Sequence, residues 1–144
     1  MNMDHREGAV LAKEICEGLY AVRSAYEVIL IPPFTTLPAV AEAVRGSTVK
    51  MGAQDLYCED EGAYTGEISG GMLRALGCAY VLVGHSERRH TIGESGALVA
   101  RKLRAALRNG LIPILCVGEL LTERESGKAI DVVANQVRGS PFSK

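Results

Sequence analysis

No charge of one sign dominates this chain. Sixteen Lys and Arg stand against seventeen Asp and Glu, a formal net charge of −1, which leaves no bulk attraction for nucleic acid or an anionic membrane. No apolar run approaches the roughly 20 residues that a membrane helix needs. The amino-terminal stretch MNMDHR lacks the apolar core of a secretory signal. Paired cysteines are also missing. Cys16, Cys58, Cys78 and Cys116 are widely spaced, with no C-x-x-C pair and no Cys/His cluster of zinc-like spacing. They are expected to be reduced thiols in a cytoplasmic protein, with no metal and no cofactor. No Pro/Gly/Ser-rich linker interrupts the chain, so residues 1–144 read as one domain, long enough to bury a sizeable core.

Short apolar runs alternate with longer helical patterns. Runs at 27–31, 48–54, 80–84 and 112–117 read as strands, the first stopped by Pro32 and Pro33. They are largely apolar rather than alternating, as expected for strands covered on both faces. Helices are expected over 7–19, 37–44, 72–76, 95–109, 120–125 and 130–137, the last two separated at Gly127. Thr36, with Pro38 behind it, and Ser69 are candidate amino-terminal caps, and Gly77 and Gly110 are candidate stops. Repeated βα units imply an α/β fold with a parallel sheet and right-handed crossovers. Residues 55–68 form the longest irregular segment. It is too polar for core and too long for an idle connection.

The stretch from Tyr80 to Arg89 carries the most information. An apolar, β-branched run ends in Gly84, His85 follows, and Ser86, Glu87, Arg88 and Arg89 read as the first turn of a helix. A titratable group is thereby delivered to a strand-to-helix junction, where α/β folds usually place their chemistry. A histidine there can also merely cap or pack, and Glu87 can be a first-turn glutamate favoured by the helix dipole.

The flanking residues choose between these readings. The motif GHSERR at 84–89 resembles the histidine motif of the triosephosphate isomerase family. PPFTTLP at 32–38, GAQ at 52–54, GAYTGEIS at 62–69, LCVGE at 115–119 and ERESGK at 123–128 match the same family in its order and spacing. The resemblance implies a partial (β/α)₈ barrel, about half of a fold that typically takes about 250 residues. It implies a cofactor-free isomerase of glycolysis and gluconeogenesis that interconverts dihydroxyacetone phosphate and glyceraldehyde 3-phosphate. His85 would be the electrophile, donating a hydrogen bond to the carbonyl oxygens. The family is a standard illustration of a neutral imidazole held at a helix amino terminus. His85 would be the one residue here that touches substrate. Glu87 resembles the carboxylate lying near the family's catalytic lysine, and Ser86 begins the supporting helix.

Cys116, beside His85 on the neighbouring strand end, could serve as a thiol nucleophile. The apolar run around it and the family resemblance favour packing near the site. Residues 55–68 resemble the family's dimerisation loop, with Thr65 and Gly66 at its tip and Glu67 and Arg88 as hydrogen-bonding and ionic partners in a homodimer. The arginines Arg101, Arg104 and Arg108 are expected on a solvated outer helix face rather than in a phosphate site. The family's Asn-x-Lys pair, glutamate base, lid and phosphate-gripping loops match no residue here, and residues 139–144 do not resemble the family. The alternative to the enzyme is therefore a non-catalytic half-barrel, with two unpaired sheet edges that favour self-association.

Overall fold

Helix entry and exit points set the architecture. The computed structural model describes residues 2–20 and 26–140, so residues 141–144 lie outside the described part. The first helix, α1 (His5–Tyr20), starts earlier than its apolar stripe predicts. Asp4 is the cause: its Oδ1 accepts the N–H groups of Arg6 and Glu7, while Glu7 Oε2 accepts the Asp4 N–H at 2.9 Å. That reciprocal arrangement satisfies donors a helix start leaves open. The order then runs β1 (Ile29–Leu30), α2 (Leu37–Ala43), β2 (Lys50–Ala53), α3 (Gly70–Ala75), β3 (Tyr80–Val83), α4 (Ser86–His90), α5 (Gly96–Arg108), β4 (Ile112–Leu115), α6 (Leu121–Glu125) and α7 (Ala129–Arg138).

The four strands form one parallel sheet in the order β1-β2-β3-β4. The fullest pairing is central to the site, with Tyr80 opposite Ile112 and Val83 opposite Leu115. Ser69 caps as expected, and Ser95 caps α5 in the same way. Their hydroxyls accept the N–H groups of Met72 at 3.4 Å and Leu98 at 3.2 Å. Gly110, at φ +68°, ends the α5 exit in a conformation that L side chains rarely adopt.

Three expectations are corrected. Thr36 occupies the cap position of α2 but makes no capping bond, and its Oγ1 is buried without a hydrogen-bond partner. Its backbone is already helical, and the second helical position is Pro38, which has no N–H to offer. Its methyl group instead faces Gly8 of α1. The strands are not covered evenly on both faces. Along β3, Val81 and Val83 are buried while Tyr80 and Leu82 are only partly so, because helices cover one side of the sheet and the other stays partly open. The segment 55–68 is not wholly outside the core either. Asp55, Leu56 and Cys58 are buried at its base, while residues 60–67 are exposed. The core itself joins Leu37, Val40, Met51, Leu56, Leu73, Val81, Val83 and Leu103 between sheet and helices.

Candidate active site

Strand β3 carries His85 to the carboxyl end of the sheet. Gly84 turns the chain at φ +75°, and His85 becomes the cap residue of α4. The main-chain N–H of Glu87 points at His85 Nδ1 from 3.4 Å. Glu87 Oε2 lies 3.7 Å from the same nitrogen, with the imidazole 42% and the glutamate side chain 82% exposed. Helix α4 has only five residues, so the local amide, more than a long dipole, orients the ring. Ser86 is exposed on the first turn. The structure thus places His85, Ser86 and Glu87 together at the junction of β3 and α4.

Cys116 ends the adjacent strand and is partly buried. Burial pushes its thiol above the usual range, with Arg89 opposing. Its thiol donates to the Ile114 carbonyl at 3.9 Å. Partial burial and a hydrogen bond to a main-chain carbonyl support a packing role for Cys116.

The 55–68 segment is a built loop. Tyr57 N–H donates to Ile68 O at 2.8 Å and closes its base, and the rings of Tyr57 and Tyr64 pack at a 45° tilt with centroids 4.7 Å apart. Thr65, Gly66 and Glu67 lie on its exposed tip. Helix α5 grips the loop from outside. Arg101 binds Glu59 at 2.7 Å, Arg108 binds both oxygens of Asp60 at 2.8 and 3.0 Å, and Asn109 donates to Asp60 Oδ1 at 2.7 Å. Arg101, Arg104 and Arg108 are exposed on the outer face of α5, as expected, and two of them also reach acids of the loop. The same contacts hold the Asp60 carboxyl below its ordinary value of 3.8, chiefly through Arg108 and then Asn109.

Comparison with known proteins identifies the scaffold. Residues 1–142 match the family model described as triosephosphate isomerase. The chain belongs to the triosephosphate isomerase family. It is 59% identical over 112 residues to the triosephosphate isomerase of Moorella thermoacetica, covering 78% of this chain and 45% of that one. It is 49% identical over 140 residues to that of Rhodopirellula baltica, covering 97% of this chain and 55% of that one. The crystal structure of the Bartonella henselae triosephosphate isomerase superposes with a TM-score of 0.90 at 36% identity, covering all of this chain and 59% of that one. The sheet is thus part of a triosephosphate isomerase barrel, and the chain spans about half the length of the curated relatives it matches.

Within this triosephosphate isomerase scaffold, sequence reasoning misses a buried ionic group. Lys102, on α5, places Nζ 2.6 Å from Asp55 Oδ2 and 2.5 Å from Glu94 Oε1. Arg88 Nε reaches the same two carboxylates at 2.8 and 2.6 Å. Arg88, expected as an ionic partner for the loop tip in a homodimer, is engaged at the loop base within this chain and lines a cavity of about 180 Å³ with Glu67 and Tyr57. Burial pushes the Asp55 carboxyl up, only partly offset by Lys102. Burial also acts on Glu94, but the hydrogen bonds from Lys102 and Arg88 outweigh it and hold that carboxyl low. One signal was readable. Lys102 falls on the α5 face that also carries Val99, Ala105 and Ala106, where an unpaired charge would be costly. Among the described residues no group of three or more His, Cys, Asp or Glu could hold a metal ion, and no helix is long and apolar enough to cross a membrane.

Proposed function

We propose that this chain supplies the His85 half of a site that interconverts dihydroxyacetone phosphate and glyceraldehyde 3-phosphate through an enediolate. The geometry at Nδ1 supports the reading best. A neutral imidazole that accepts the Glu87 N–H on Nδ1 carries its own proton on Nε2. That Nε2–H is the donor such a reaction needs. A carboxylate contributed from outside these 144 residues removes a proton from the carbon beside the carbonyl. The electron pair moves onto the carbonyl oxygen, where Nε2–H stabilises the growing charge. The hydroxyl proton on the neighbouring carbon's oxygen passes to the former carbonyl oxygen, and return of the abstracted proton to the former carbonyl carbon completes the isomerisation, with no net change in redox state. Glu87 approaches the Nδ1 side, away from substrate, and would be available to the family's lysine, which matches no residue here. In the complete protein, read as a cytoplasmic homodimer, Thr65, Gly66, Glu67 and Arg88 would meet a second copy.

A second reading is favoured by one observation. The family's base, Asn-x-Lys pair and phosphate grip match no residue of this chain. The 144-residue chain alone is therefore expected at background in a coupled isomerase assay. The test of the enzyme reading is a chimera. Residues 1–138 replace the matching part of the Bartonella henselae enzyme, with which they share 36% identity. Isomerase turnover is expected. A folded chimera at background overturns the reading.

A further inference from the structure

We infer that Arg89 is a positioning residue for His85, tying the ends of β3 and β4 together and fixing the peptide planes from which the imidazole projects. The inference rests on reading His85 as the electrophile and deepens that reading. The ladder between the two strands closes with the Cys116 N–H donating to Val83 O at 2.9 Å. Beyond that rung the strands part. Gly84 turns away at φ +75°, and the Gly118 peptide is bound on both N–H and C=O by the Gln136 amide.

Arg89 bridges the opening. Its Nε donates to Gly84 O at 2.6 Å and its Nη2 to Cys116 O at 3.2 Å. The Gly84 carbonyl belongs to the peptide that enters His85. The Arg89 main-chain N–H donates to His85 O at 3.0 Å, on the peptide that leaves it. One residue thus holds both peptide planes flanking the histidine, and its side-chain bonds are charge-assisted, hence stronger than neutral ones. The turn is shaped around this guanidinium. A Cβ on Gly84 would sit 2.6 Å from Nη2, 3.0 Å from Cζ and 3.1 Å from Nε of Arg89. Such a side chain is excluded twice, by the guanidinium and by the backbone angle.

The main-chain bond to His85 survives substitution at position 89, so Arg89→Met removes the guanidinium tie alone. Without it the Gly84–His85 peptide is free to rotate and the Nδ1 acceptor bond to Glu87 loses its register. A residue that only stabilised the fold would shift the melting point and leave the histidine tautomer untouched. The test is imidazole-nitrogen NMR on the 144-residue chain labelled with ¹⁵N at histidine, at a pH where the rings are neutral. The unsubstituted chain should show His85 as one tautomer, protonated on Nε2. Arg89→Met should give a mixture at His85 alone, with His5 and His90 as internal controls. Arg89→Lys should recover it in part, because an ammonium lacks the fork that spans two carbonyls. If Arg89→Met fails to fold, Arg89→Gln takes its place, because its uncharged amide cannot reproduce the guanidinium fork across the two carbonyls and should give the same mixture. A folded Arg89→Met, or failing that a folded Arg89→Gln, with a single Nε2-protonated His85 overturns the inference. Failure of the isomerase reading shows differently, as an inactive chimera with the tautomer response intact.

Discussion

Lys102 and Asp55 lie 47 residues apart in sequence and meet at 2.6 Å, their side chains 1% and 5% exposed. Glu94 shares the same ammonium, and Arg88 faces both acids. The group joins the base of the 55–68 loop to α4, α5 and the turn before α5. Two cations meet two carboxylates, so burial is tolerated only while all four are present.

Lys102→Met should therefore be strongly destabilising. It leaves two buried carboxylates sharing one arginine, a loss of about 3–5 kcal/mol. Urea unfolding at neutral pH measures it. A loss below about 1 kcal/mol would show that water or rearrangement compensates the acids.

Acid should loosen the outer grip on the loop. Asp60 is held below its ordinary value of 3.8 by Arg108 and Asn109. A carboxyl lowered by folding contributes stability that is present above its unfolded value and is lost as pH falls through the lower folded value. Hydrogen exchange at residues 56–67 should accelerate below about pH 3.8. Arg108→Met should give fast exchange at neutral pH and a much smaller step in acid. A loop equally protected in that variant would contradict the role assigned to the clasp.

The same substitution should have opposite effects at two positions of α1. A Cβ at Gly18 meets nothing within 4 Å, whereas one at Gly8 would lie 2.5 Å from Thr36 Cγ2. Gly18→Ala should stabilise by up to about 1 kcal/mol through helix propensity. At Gly8 that gain opposes an overpacking cost of about 1–3 kcal/mol against a buried, β-branched neighbour. The balance should be destabilising. Thermal melts of the two variants check the pair, and a stabilising Gly8→Ala would show that α1 and α2 can separate cheaply.

Local chemistry was the readable part of the fold. Ser69 and Ser95 announce helix starts because the N–H groups they bind lie three residues on, at Met72 and Leu98. Thr36 looks the same in sequence and fails because Pro38 removes the donor and the chain is already helical there. His85 was readable from its junction and flanking motif. Its supports were not. Arg89 is hidden inside a charged run, and its acceptors, Gly84 O and Cys116 O, are backbone atoms that no residue type announces. Arg108 and Asp60 are 48 residues apart, and nothing in the composition of α5 says which acid its arginines will find. Long-range pairing is set by topology, and topology enters only once the sheet order is known.

The central claim is that His85 donates from Nε2 to a substrate oxygen, so the decisive measurement is the turnover of His85→Gln in the Bartonella henselae chimera. Loss of a placed donor should lower kcat by about 10²–10³-fold with KM little changed. An unchanged kcat in a folded His85→Gln chimera would contradict the account.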